Sequence, residues 1–259
     1  MPAPLFELRP VDGKGSGLFA TTDIARGTRI IEEEPLIVVP PAEDPVIRFA
    51  HLIEAVESAT PDQHRAFFDL YHTPSAMPRP EVQAILARKS QDATNQILIA
   101  SAIFNTNSFQ MGESAEDGGG VFATYSRMNH SCIPNTHASY NPTLKKLTFH
   151  AICQINKDQE LLTTYIDLHQ SSEERNADLS NWDFRCQCRC CVGPKVAVSD
   201  SRRKRILEAD EKLQACLAGQ TSTDEIPVPE NAEDALKIAK DLLEALKEEG
   251  MTGLRYGGA

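Results

Sequence analysis

Cysteine is missing from the first half of this chain: none of the seven precedes Cys132. A cysteine-ligated zinc module in that half is therefore excluded. No apolar run approaches the ~20 residues of a membrane-spanning helix, so no span is expected. The opening Met1-Pro2-Ala3-Pro4-Leu5 lacks a basic region followed by a long apolar run, so no secretory leader is expected either. Positive charge is also scarce. Twenty-six Lys and Arg face 37 Asp and Glu, a net charge of −11. A surface that tracks phosphates needs Lys and Arg to neutralise them, which argues against direct binding of nucleic acid. An acidic surface suits a basic protein substrate instead, although net charge alone more often reports solubility.

What is present looks like an ordinary globular chain, 41% hydrophobic and 24% charged over 259 residues. That length allows one good core with at most a small appended domain, expected to be monomeric. Four of the seven cysteines fall in Cys186-Gln187-Cys188-Arg189-Cys190-Cys191. An intracellular chain keeps its thiols reduced, so clustered cysteines favour a metal over disulfides. Cys186-x-Cys188-x-x-Cys191 offers three thiolates in a tight turn, and tetrahedral zinc takes four. Cys132, Cys153 and Cys216 are the candidates for the fourth, and spacing does not choose among them. Buried free thiols acting as small hydrophobes are the bland alternative. Four thiols in six positions, flanked by Arg185 and Arg189, favour zinc.

The texture changes along the chain. Leu18-Phe19-Ala20, Ile30-Ile31 and Leu36-Ile37-Val38-Val39 read as short strands, with a turn at Gly27 and a stop at Pro40-Pro41. From about residue 45 to 109 the pattern is helical. Val46, Ile47, Ala50, Ile53 and Val56 form one apolar face. Thr60-Pro61-Asp62-Gln63 is a capping box opening a helix through Phe67, Phe68 and Tyr71. Val82, Ile85 and Leu86 follow a proline-rich loop, and Ile97, Leu98, Ala100, Ile103 and Phe104 mark another helix. Residues 112–120 are acidic and Gly-rich, hence a mobile loop. Strand texture returns over 121–165, with a hairpin turning at Asn141-Pro142-Thr143. Two amphipathic stripes end the chain: Ile206, Ala209, Leu213, Cys216 and Leu217, then Ala235 to Leu246. They either pack on the core or begin a helical-repeat domain. Arg202-Arg203-Lys204-Arg205 is the one basic run. It suits a nuclear localisation signal or, as the favoured reading, the solvated first turn of a helix. Residues 251–259 carry no terminus signal, so truncation is expected.

Four segments carry a resemblance. Arg127-Met128-Asn129-His130-Ser131-Cys132-Ile133-Pro134-Asn135 resembles the central motif of SET-domain lysine methyltransferases. Leu161-Leu162-Thr163-Thr164-Tyr165-Ile166-Asp167 is similar to the segment bearing their catalytic tyrosine. Phe184-x-Cys186-x-Cys188-x-x-Cys191 resembles their post-SET segment, and Gly13-Lys14-Gly15-Ser16-Gly17-Leu18-Phe19-Ala20 their Gly-rich opening. The order is the family's, over about residues 5–192. Asn107-Ser108-Phe109 and Ser172-Glu173-Glu174-Arg175 resemble the SET- and MYND-domain subgroup or its fungal-type relatives. The MYND finger itself is absent, since its ligands would lie in the cysteine-free half.

The resemblance implies an α+β fold, a SET-domain β-clip of short twisted strands. Its parts would be the N-terminal SET portion (1–44), a helical insertion (45–111), the C-terminal SET portion (112–170), a post-SET zinc segment (171–193) and a C-terminal helical region (194–259). The implied activity is methyl transfer from S-adenosylmethionine to a lysine of a protein or peptide, such as a basic tail, in the cytoplasm or nucleus. Tyr165 would be catalytic. Lys14, Gly15, Ser16 and Gly17 would wrap the methionine end of the cofactor, with Asn129 and His130 holding its polar parts. Asn107, Ser126 and the backbone of Met128 would add contacts. Phe184 would stack on adenine, with Trp182 closing the lysine channel or the cofactor pocket. Cys132 would join Cys186, Cys188 and Cys191 on one structural zinc, tying the cofactor motif to the tail, and Cys190 would point away. A non-catalytic SET-fold binding module is the alternative, but it predicts a broken tyrosine or cofactor motif. A finger-like zinc interaction protein would need a second set of ligands.

Overall fold

Ten short strands and six α-helices run through the described residues of the computed structural model, which are 4–76, 91–112, 118–223 and 226–251. Three small sheets make the core. In the first, the hairpin of β1 (Phe6–Val11) and β2 (Gly15–Ala20) continues through β10 (Glu160–Thr163) to β7 (Asn129–His130). β7 and β10 run parallel, with Asn129 opposite Leu162 and His130 opposite Thr163. The second sheet is ordered β3 (Arg29–Glu33), β9 (Lys146–Ala151), β8 (Thr136–Asn141). Its β8–β9 hairpin turns where expected, at Asn141, whose Oδ1 accepts from the backbone N–H of Thr143 and Leu144. A register shift between Arg29 and Ile31 lets consecutive residues, Ile30 and Ile31, both bury. Leu18, Phe122, Met128, Leu147, Phe149 and Leu161 fill the core of these sheets.

The third sheet is ordered β4 (Ile37–Val39), β6 (Gly119–Val121), β5 (Phe109–Gln110). Gly119 and Gly120 therefore lie in a buried strand, not in the expected loop. A side chain at Gly120 would press on Met111 and the Phe122 ring, so the absence of one is what admits the pairing. The acidic centre of that loop, 113–117, lies outside the described residues, as does the segment with Val82, Ile85 and Leu86.

Three helices cover this sheet: α1 (Pro45–Glu57), α2 (Pro61–Phe68) and α3 (Gln91–Asn107). The Asp44 carboxylate caps α1, and the Thr60–Gln63 capping box opens α2. The buried face of α1 differs in part from the expected one, since Ile53 and Val56 are half-buried against the core as expected. Phe49 and Leu52 point inward, whereas Val46, Ile47 and Ala50 are exposed. α2 stops at Phe68 with Asp69 as its cap, so Tyr71 lies beyond it and is 66% exposed.

The tail comprises α4 (Ser172–Leu179), α5 (Val196–Leu217) and α6 (Ala232–Glu249). α5 and α6 pack on the core rather than standing apart. Ile206, Ala245, Leu246 and Met251 share one cluster with Cys132, Leu168, Leu179 and Cys186. The basic run is not a solvated first turn. α5 already begins at Val196, and Arg203 is 0% exposed. Leu217, Leu236 and Leu243, expected on buried stripes, are exposed.

Candidate active site and metal centre

The β1–β2 turn supplies the first wall. Gly13 and Gly15 take positive φ, +70° and +77°, which an L side chain rarely adopts. Gly17 is needed for close approach instead. A Cβ there would collide with the Glu160 carboxylate and lie 2.9 Å from Asn129 Nδ2. That amide donates to the Ser16 carbonyl at 3.0 Å and to Glu160 Oε1 at 2.7 Å. Lys14 Nζ lies 3.8 Å from Glu160 Oε2. Lys14, Gly17 and Asn129 thus converge on one carboxylate, and the Asn129 amide links it to the Ser16 carbonyl. The sequence reading had assigned Glu160 no role, and nothing in strand patterning singles it out.

β7 carries the site onward. Asn135 bonds the backbone of β10 with its side chain, in place of a further strand: Nδ2 donates to the Glu160 carbonyl, and Oδ1 accepts from Leu162 N, each at 2.8 Å. Buried His130 accepts from Tyr165 N through Nδ1 at 3.1 Å. Its proton therefore sits on Nε2, which lies 3.3 Å from Cys132 Sγ. This imidazole links the tyrosine loop to the sulfur cluster. The Tyr165 hydroxyl donates to the Met128 carbonyl at 2.5 Å. Burial holds its pKa well above that of an ordinary phenol. Aromatic rings surround it: Trp182 at 5.3 Å between centroids, His130 at 5.4 Å and Phe184 edge-on at 6.4 Å. The indole N–H of Trp182 donates to the Thr106 carbonyl at 2.9 Å, which ties this box to the end of α3.

Two further predicted residues are anchored by backbone carbonyls. Asn107 donates to the carbonyls of Tyr71 and Ile103, both at 2.8 Å. The Ser126 hydroxyl donates to the Phe122 carbonyl at 2.7 Å.

The sulfur atoms of Cys132, Cys186, Cys188 and Cys191 all lie within 4.8 Å of one another. Cys132 Sγ is 3.7 Å from Cys186 Sγ and 3.5 Å from Cys191 Sγ. Four sulfurs at roughly 2.3 Å from a central zinc would be separated by about 3.8 Å, so this donor set fits a tetrahedral zinc. Hydrogen bonding with Cys132 lowers the pKa of the Cys186, Cys188 and Cys191 thiols below that of an ordinary cysteine. Cys132 is pushed up by the same contacts, that with Cys186 first. Arg175, which the sequence reading left without a role, is wholly buried beneath the cluster and donates to the Cys190 carbonyl at 2.9 Å and to Cys191 Sγ at 3.6 Å. Cys190 lies outside the set, with its thiol 3.3 Å from Glu249 Oε1. Cys153 and Cys216 also lie outside it.

An open apolar cleft of about 390 Å³ lies elsewhere, between α1, α2 and α3, and none of the groups above lines it. Among the described residues, no helix is long and apolar enough to cross a membrane.

Residues 15–166 match the family model described as the SET domain. Over 213 residues the chain is 31% identical to the histone-lysine N-methyltransferase set5 of Schizosaccharomyces pombe, which covers 81% of this chain and 58% of that protein. It is 27% identical over 154 residues to the N-lysine methyltransferase SMYD2 of Gallus gallus (58% of this chain, 31% of that one). To SMYD2 of Homo sapiens it is 33% identical over 101 residues (38% and 23%). The chain thus spans 58% or less of the length of these relatives.

Proposed function

Because the chain belongs to the SET-domain family, we propose that it transfers a methyl group from S-adenosylmethionine to the side-chain amine of a lysine in a protein substrate. In this proposal Cys132, Cys186, Cys188 and Cys191 hold one structural zinc. The observation that carries the reading is the setting of Tyr165. Its hydroxyl is fixed on the Met128 carbonyl inside a box of Trp182, Phe184 and His130.

When bound, S-adenosylmethionine supplies a methyl group on a sulfonium cation. The residues present fit such a zwitterionic, aromatic ligand. Lys14 offers a cation for its carboxylate, the Glu160 carboxylate and the Ser16 carbonyl offer acceptors for its ammonium, and Phe184 offers a ring face for adenine. Tyr165 stays neutral because its pKa is raised, so it acts as an orienting group and not as a base. With its hydrogen spent on Met128, the phenolic oxygen keeps its lone pairs for the N–H of an incoming amine. That amine must be neutral to react. Desolvation among Trp182, Phe184 and Tyr165 lowers its pKa, as does a neighbouring cation. Zinc would cross-link Cys132, two residues past His130, to Cys186, two residues past Phe184. A segment with little core of its own is thereby held over the site.

The names of the relatives support lysine as the acceptor, and the net charge of −11 supports a basic protein segment around it. The test is incubation with S-adenosylmethionine and a panel of Lys-rich peptides and proteins, read by mass. A gain of one or more methyl groups on lysine is expected. Cofactor binding without any methylated product would point to a binding module, and no cofactor binding would remove the reading altogether.

A further inference from the structure

A deeply buried ion pair lies beside the reacting groups but not among them. Arg203 on α5 is 0% exposed and Glu249, the last residue of α6, is 2% exposed. Each nitrogen of the guanidinium has its own partner. Nε donates to Glu249 Oε1 at 2.8 Å, one terminal nitrogen to the Leu168 carbonyl, and the other to the Cys132 carbonyl at 2.8 Å. Those two carbonyls belong to the two halves of the site. Cys132 comes two residues after His130, and Leu168 three residues after Tyr165. Glu249 is itself held by the Ser199 hydroxyl and by Arg202 at 2.9 Å. A buried ion pair is weak as a source of stability, because desolvating both charges offsets their attraction. A role in placement accounts better for one whose remaining donors are aimed at these two carbonyls.

We propose that Arg203, oriented by Glu249, is a positioning residue for the methyl transfer: it sets the spacing between the His130–Cys132 segment and the Tyr165–Leu168 loop. The α5–α6 hairpin thereby becomes part of the site. This inference rests on the methyl-transfer reading above. Lysine could not substitute, since one ammonium cannot reproduce a planar fork reaching three fixed acceptors.

The test uses the full chain, with Arg203→Lys and the double variant Arg203→Met/Glu249→Leu. Trp182 is the only tryptophan and packs on Tyr165, so its emission reports the site without any need for turnover. Zinc content, Tm, Trp182 emission, kcat and the cofactor KM are measured for each. Arg203→Lys is expected to keep its zinc, shift the emission and lose more than tenfold in kcat, while the cofactor KM changes less than threefold. The double variant, with an apolar pair in place of the buried charges, is expected to recover Tm but not kcat or emission. The proposal is overturned if a folded variant keeps wild-type kcat and emission, or if kcat returns together with Tm in the double variant. It is overturned as well if the double variant cannot fold, since the pair would then serve folding alone. Absence of turnover in the wild type would sink the methyl-transfer reading instead, and emission from the same variants would still decide the positioning.

Discussion

At the scale of single residues, the hydrogen bond from Tyr165 to Met128 makes two separable predictions. Tyr165→Phe keeps the ring and its contacts with Trp182 and Phe184. Turnover should fall by more than about tenfold, or at least ~1.4 kcal/mol of transition-state stabilisation, while cofactor affinity changes little. Losing the hydroxyl also removes a donor from the Met128 carbonyl, which should cost about 1 kcal/mol of stability, visible as a lower Tm. Unchanged turnover on a substrate that the wild type methylates would remove Tyr165 from the mechanism. The pH profile checks the same assignment. The phenol is active when protonated and its pKa is raised, so that form persists above the ordinary value of about 10. Turnover should therefore rise with pH as the lysine amine loses its proton, with no falling limb from Tyr165 below about pH 10. Gly17→Ala probes the opposite wall. Its Cβ would strike the Glu160 carboxylate, so it should cost about 1–3 kcal/mol in overpacking and weaken cofactor binding measured by titration. A variant with wild-type affinity would show that the Lys14–Glu160–Asn129 junction does not hold the ligand.

Among the elements, the four-sulfur cluster does what few apolar contacts could do alone. It joins the end of β7 to a turn that follows α4. With zinc bound as proposed, chelation should lower Tm and move Trp182 emission toward that of exposed indole, and a chelator-treated chain with unchanged melting and emission would show that zinc has no part in the fold. Much of this architecture was legible in the sequence. The Thr60–Gln63 box and the Asn141 turn are local signals, because each is satisfied within a few residues. The misreadings came where distant packing decides. Periodicity marks α1 as amphipathic, yet Val46 and Ile47 are exposed, while Leu52 packs with the third sheet and Phe49 against Ile53, Ile97 and Leu98. Gly119 and Gly120 read as loop because they carry no strand pattern of their own and their pairing depends on β5 and on β4, the latter about 80 residues away along the chain. Arg203 looked solvated because its three acceptors come from three other segments. The motif residues were recognisable, Asn135 and Arg175 among them, but their bonds to β10 and to the cysteine turn, and the place of Glu160 beside Asn129, depend on contacts between separate segments.

For the whole molecule, the tail cannot be treated as an appendage. Removing 194–259 would strip Ile206, Ala245, Leu246 and Met251 from the cluster that holds Cys132 and Leu168, exposing apolar surface and two carbonyls. The shortened chain should melt lower and tend to aggregate, whereas equal Tm and solubility would show the tail to be independent of the core. The third sheet sets a different rule for the segment between β4 and β5. Those strands flank β6 on either side, so the chain leaves at Val39 and re-enters at Phe109 only about 10 Å away, two strand spacings. Closing a loop between fixed ends costs entropy that grows only with the logarithm of its length, about 0.6 kcal/mol for each doubling. Length added to the connections within this span therefore costs little in closure, whereas removing one of its helices would uncover Ile37, Val39 and Val121.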